Sequence, residues 1–118
     1  MRYEEVVEKV QSVYENADAR DIFEHIAVQI NIVGEGSGAF YLEVAQRKIC
    51  VEPYDYHDRD GLITASAKTL CDIADQKIAF LDAYGQGLLK YEGNMDKFHI
   101  LAKIRLPEKK KGTKAKKV

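Results

Sequence analysis

Cysteine, proline and long apolar runs are all scarce in this 118-residue chain, and each scarcity removes a class of protein. Cys50 falls in a strand-like run and Cys71 in a helix-like one, with no second pair to suggest a zinc site or a disulfide framework, so both read as buried thiols. No apolar run approaches the ~20 residues needed to cross a bilayer, which excludes a membrane-spanning helix. The start, Met1-Arg2-Tyr3-Glu4-Glu5, carries acidic residues and lacks the apolar stretch of a secretory signal; it predicts a cytoplasmic chain, mature from residue 1. Only Pro53 and Pro107 interrupt the chain as prolines, each where an element is expected to end, and no internal repeat is present.

What is there is ordinary for a globular protein: 46% hydrophobic and 31% charged residues. At this length one domain should bury roughly two-thirds of the surface of its unfolded chain, so a core and a modest cavity can coexist. The formal charge of −1 hides an asymmetry. Residues 1–107 hold 12 Lys/Arg against 18 Asp/Glu, whereas residues 108–118 hold six lysines and one glutamate. A domain over 1–107 followed by a flexible Lys-rich tail over 108–118 is the reading of that contrast.

Periodicity predicts the elements. Tyr3, Val6, Val7, Val10, Val13 and Tyr14 share one stripe of a helix over about residues 2–16. Asp18 suits the cap of a short helical turn through Phe23. From Ile26 the period changes to two: Ile26, Val28, Ile30 and Ile32, then Phe40, Leu42 and Val44 beyond the Gly34–Gly38 link, then Ile49 and Val51, predict three meandering strands. A short strand over 62–65 follows, and Ser66 is placed to cap a helix carrying Leu70, Ile73 and Ala74. Ile78, Leu81 and Tyr84 continue a second apolar stripe that Gly85 should stop in the left-handed conformation. A fifth strand, 88–93, leads through the cap Asn94 into a helix with Met95, Phe98, Leu101 and Ile104. The expected class is α+β: a mostly antiparallel five-stranded sheet with helices packed on one face.

The most specific stretch is the last third. Ile63-Thr64-Ala65-Ser66, then Ala83-Tyr84, then Gly87-Leu88-Leu89-Lys90-Tyr91-Glu92-Gly93-Asn94 resemble the pattern of the sterol-carrier-protein-type lipid-binding domain family: a strand running into a Ser-capped helix, an apolar helix ending in an aromatic, and a glycine-bracketed strand entering a helix. Residues 22–54 match more loosely. The chain departs from the family in having no tryptophan and in carrying Phe80 about where a proline often precedes the aromatic-ending helix. The resemblance implies an apolar tunnel between sheet and helices that holds a fatty acid, acyl-thioester, isoprenoid or sterol-like lipid, without catalysis and without a cofactor. The lining it implies is Phe40, Leu42, Val44, Ile63, Leu70, Leu81, Tyr84, Leu89, Tyr91, Phe98 and Leu101, all residues that a plain core would also use. A long acyl chain gains ~0.8 kcal/mol per buried methylene, so shape and dryness alone reach micromolar binding.

Other signals point elsewhere or nowhere. Residues 54–61, Tyr-Asp-Tyr-His-Asp-Arg-Asp-Gly, fail as a calcium loop because Tyr56 and Ala67 stand where oxygen ligands are needed, and they read as a solvated turn; no metal is expected. His25, His57 and His99 lie in different elements, and Cys71 with His99 is the one pairing worth locating in space. The Gly34–Gly38 link precedes a strand, so it is no dinucleotide fingerprint. Lys109, Lys110, Lys111, Lys114, Lys116 and Lys117 either keep the tail solvated or attract it transiently to an anionic membrane surface. The acidic body and the lack of a recognisable motif argue against nucleic acid, and residues 116–118 form no peroxisomal tripeptide. The competing readings are an accessory or protein-interaction module, favoured by a solid interior, and a small enzyme, favoured by ionisable groups converging inside; oligomeric state is not readable.

Overall fold

A computed structural model describes residues 2–54 and 59–107. The elements follow in the order α1 (Tyr3–Tyr14), β1 (Ile26–Val33), β2 (Gly38–Ala45), β3 (Lys48–Glu52), β4 (Gly61–Ser66), α2 (Ala67–Ala74), α3 (Phe80–Gly85), β5 (Leu89–Gly93) and α4 (Met95–Leu101). The five strands make one sheet in the order β3-β2-β1-β4-β5. Three neighbour pairs are antiparallel, and β1 with β4 is parallel, so the sheet is mixed.

The alternation decides which face is covered. Val28, Leu42, Val51 and Gly61 lie in register across the sheet, as do Ile30, Phe40, Ile63 and Tyr91. These positions belong to the core with Val6, Val7 and Val10 of α1, Leu70 and Ile73 of α2, Ala83 of α3, and Phe98 and Leu101 of α4. Gln29, Asn31, Glu43, Glu52 and Lys90, one residue out of phase, occupy the opposite face, so the helices roof one side only.

Side chains tie most of the roof down. Tyr3 donates to the Ala39 carbonyl, Gln11 Nε2 donates to the Val51 carbonyl at 2.8 Å, and the Val51 amide donates to Glu15 Oε2 at 2.9 Å, so α1 also satisfies the free edge of β3. Lys9 pairs with Asp75 at 2.6 Å, joining α1 to the end of α2. Lys97 of α4 donates to Asp60 at 3.1 Å and to the His25 carbonyl at 2.9 Å, while Asp60 accepts from the Ala27 amide at 2.9 Å. By contrast α3 buries only Ala83 and starts at Ala79, which offers no side-chain cap.

Two local expectations give way to tertiary contacts. Residues 18–23 form a single turn and no helix: Asp18 Oδ1 accepts from the Arg20 amide and the Ile22 amide donates to the Ala19 carbonyl, both at 3.0 Å, while the Asp18 backbone exchanges hydrogen bonds with Arg105 at 2.8 and 3.1 Å, so its carbonyl cannot continue a helix. The left-handed stop after α3 is Gly87, at φ 79°, while Gly85 is the last residue of the helix itself. The loop residues 55–58, His57 included, and the tail 108–118 lie outside the described residues.

Candidate functional site

The sheet and the helices enclose an apolar pocket. Val28, Ile30, Leu42, Ile63 and Leu89 form its floor, and Val10, Tyr14, Leu70, Ile73, Phe80, Leu101 and Ile104 its walls and roof. Its volume is about 40 Å³. A single water occupies at least ~10–15 Å³ of such space, so the pocket as it stands is far short of a lipid's needs. It does not end there. A second, wider pocket of about 310 Å³ shares Tyr14, Ile73, Phe80, Leu101 and Ile104 with it and opens between Gln76, Ile78, Ala79, Ala102 and Leu106. These five shared residues form a collar between the inner pocket and a vestibule at the end of α2, the start of α3 and the end of α4. No through-going tunnel is shown among the described residues.

Of the eleven residues expected to line a ligand site, Leu42, Ile63, Leu70, Leu89 and Leu101 line the inner pocket. Phe40, Val44 and Phe98 are fully buried in the core around it. Phe98 gathers the rings of Phe80, Tyr84 and Tyr91 at centroid distances of 4.9, 4.8 and 4.4 Å. Tyr91 lies across Gly61, whose missing side chain makes room for the phenol, and it donates to the Asn94 carbonyl at 2.8 Å. Leu81 and Tyr84 are exposed on α3, at 41% and 38%. The residues that sequence reading did not place at the site are Val10 and Tyr14 from α1, Val28 and Ile30 from β1, and Ile73, Phe80 and Ile104. The stripe Val6-Val10-Tyr14 is visible in the sequence; what it faces is not.

The lining carries one ionisable side chain, Tyr14, whose pKa burial pushes up to about 12, so its phenol stays protonated across the physiological range. Cys71 and His99 are not a working pair: Cys71 sits on α2 beside Lys9 and Asp75, and His99 is exposed on α4, edge-on to the Phe98 ring. One trio of potential metal ligands occurs among the described residues, Glu15, Cys50 and Glu52, with donor atoms within 4.8 Å of one another. Hydrogen bonding accounts for it: Glu15 accepts from Val51, and Cys50 Sγ donates to Glu52 at 3.5 Å, with burial first and Glu52 second holding the thiol protonated.

A model of the SCP-2 sterol transfer family matches residues 7–104, the whole of the sheet and its roof. The chain belongs to the SCP-2 sterol transfer family. Membership places it among lipid-binding and lipid-transfer domains. Among solved structures it is similar to palmitated SCP2L2 from Aedes aegypti, with 20% identity, a TM-score of 0.66 and coverage of 86% of this chain and 92% of that one. It is also similar to a UbiJ-SCP2 ubiquinone synthesis protein, with 15% identity, a TM-score of 0.60 and coverage of 85% and 89%. The sec-alkylsulfatase Pisa1 from Pseudomonas sp. matches at 13% identity and a TM-score of 0.60 over 87% of this chain but 14% of its own. At these identities the likeness shows the fold alone, here as a domain nearly by itself and there as a small part of a large enzyme. Comparison with curated protein sequences gives no match. No helix of the described residues is long and apolar enough to cross a membrane.

Proposed function

We propose that this SCP-2 domain binds one single-chain or sterol-like lipid between its sheet and its helices and carries it without catalysis. The supporting observation is an apolar inner pocket that shares a collar of five residues with a wider vestibule, in a chain whose family transfers lipid. The inner pocket supplies apolar surface and one phenol; ligand pockets for molecules of this size run to roughly 300–1,000 Å³, so loading requires the inner space to widen. The element that yields is α3, which lacks the clamps that fix α1 and α4. On this reading Leu42, Ile63, Leu70, Leu89 and Leu101 touch the chain of the lipid, Phe40, Val44, Phe98 and Tyr91 support the floor and roof, and Leu81 and Tyr84 move with α3. The tail lysines 109, 110, 111, 114, 116 and 117 supply transient attraction to an anionic membrane. Native mass spectrometry of the purified chain, before and after incubation with acyl, isoprenoid and sterol lipids, tests the proposal. A one-to-one complex supports it, and a folded protein that takes up none of the three overturns it.

The second reading, an accessory or interaction module, has one observation on its side: the inner pocket measures about 40 Å³, close to a packed interior. The same mass measurement separates the two.

A further inference from the structure

The collar between pocket and vestibule contains a phenol that the protein leaves unused. Tyr14 lines both spaces. Its hydroxyl makes no hydrogen bond to any described residue, although every fully buried side-chain oxygen and nitrogen among those residues has a partner. The Tyr14 oxygen is therefore not fully enclosed, in a residue that borders both spaces. The other lining side chains are apolar apart from Gln76 at the outer rim, whose Nε2 donates to the Pro107 carbonyl, and backbone groups supply the rest of the vestibule's polar surface. Among the described residues no lysine, arginine or histidine lines either space.

These facts select a ligand chemistry. A protonated phenol offers one donor, and an acceptor oxygen on the ligand satisfies it. A carboxylate brought to the same place meets no cation among the described residues, and an unpaired charge costs far more to desolvate than a carbonyl does. We infer that Tyr14 hydrogen-bonds the neutral oxygen-bearing end of the bound lipid, a carbonyl of the ester, thioester or quinone kind, with the hydrocarbon running inward over Ile30, Ile63 and Leu89 and the polar end left at the collar. This rests on the carrier reading and adds an orientation and a headgroup preference to it. Tyr14 becomes a specificity-determining residue, not a core aromatic.

The test compares three ligands that share one hydrocarbon length, hexadecane, methyl hexadecanoate and hexadecanoate, each partitioned into the protein from cyclodextrin by equilibrium dialysis at pH 9. The wild-type chain should prefer the methyl ester to the alkane by about fivefold to tenfold, the worth of one hydrogen bond, and should bind the carboxylate more weakly than the ester. Tyr14→Phe removes only an oxygen that no described residue uses. It should keep the alkane affinity within about twofold while erasing the preference for the ester. The Cζ carbon resonance of Tyr14 should move on adding the ester and stay put on adding the alkane. An unchanged ester preference in a folded Tyr14→Phe chain overturns the assignment, and a carboxylate bound as tightly as the ester overturns its neutral-headgroup part. If the wild-type chain takes up none of the three ligands, the assignment to Tyr14 falls, and the carrier reading falls with it only when isoprenoid and sterol lipids are refused as well. The long-chain ester and the corresponding short-chain thioester, compared in the same dialysis, separate the two carbonyl sources by whichever loses more affinity in Tyr14→Phe.

Discussion

Phe98 and Tyr14 show how differently two aromatic residues at one roof can act. Phe98 is fully buried and meets three other rings, so Phe98→Ala should cost about 3–5 kcal/mol through lost burial and an unfilled cavity. Urea denaturation of the two chains measures it, and a loss under 1 kcal/mol would mean that the ring cluster is not the anchor of α4. Tyr14 should reveal itself by pH instead. Its folded-state pKa is about 12 against an ordinary 10.0, so the unfolded chain releases this proton first as pH rises. The associated stability is complete below pH 10 and is lost between 10 and 12. Tyr91 is also pushed up, by burial and by Asp60, and adds a slope of the same sign. The comparison of wild type with Tyr14→Phe isolates the Tyr14 share: the phenylalanine chain should lose less stability over that interval in thermal melts.

The elements were legible wherever local chemistry decides them. The caps are examples: Ser66 Oγ accepts from the Thr69 amide at 3.2 Å and Asn94 Oδ1 from the Lys97 amide at 3.0 Å, as the residue types and the apolar runs behind them indicated. Asn94→Ala should cost about 1 kcal/mol, read as a lower denaturation midpoint. What was not legible depends on partners far along the chain. The parallel pairing of Ile26–Val33 with Gly61–Ser66 spans two intervening strands, and a strand shows no sign in its own sequence of the direction of its neighbour. Asp18 looked like a helix cap because nothing nearby reveals the Arg105 backbone that claims it. Likewise the site's floor was half visible, Leu42, Ile63 and Leu89 reading as inward strand positions, while the collar of Tyr14, Phe80 and Ile104 comes from three helix ends that only the fold brings together. Among these elements α3 buries one residue and has no side-chain cap, and rings rather than hydrogen bonds hold it, through Phe80 and Tyr84 on Phe98. Amide hydrogen exchange should find residues 80–85 the fastest of the four helices in the empty protein, and the fastest to gain protection when lipid is added. Uniform protection across all four helices, unchanged by lipid, would remove α3 as the moving part of the roof.

At the scale of the whole molecule, charge separates holding a lipid from finding one. The body through Pro107 has six more acidic than basic residues and is repelled by an anionic bilayer, whereas the last eleven residues carry a net +5. Each lysine close to such a surface contributes up to ~1 kcal/mol, and the attraction fades as the screening length shrinks from about 10 Å at 0.1 M salt to about 3 Å at 1 M. Among the described residues no lysine lines the pocket or the collar, so the two functions should come apart. A chain ending at Pro107 should bind a soluble lipid from cyclodextrin with unchanged affinity, yet sediment with phosphatidylserine-containing vesicles much less than the full chain at low salt. At 1 M salt the two chains should behave alike, because the difference between them is electrostatic. If shortening the chain weakened soluble-lipid binding as well, the tail would have to act on the roof itself, and the division between a neutral, apolar cradle and a charged approach to the membrane would be wrong.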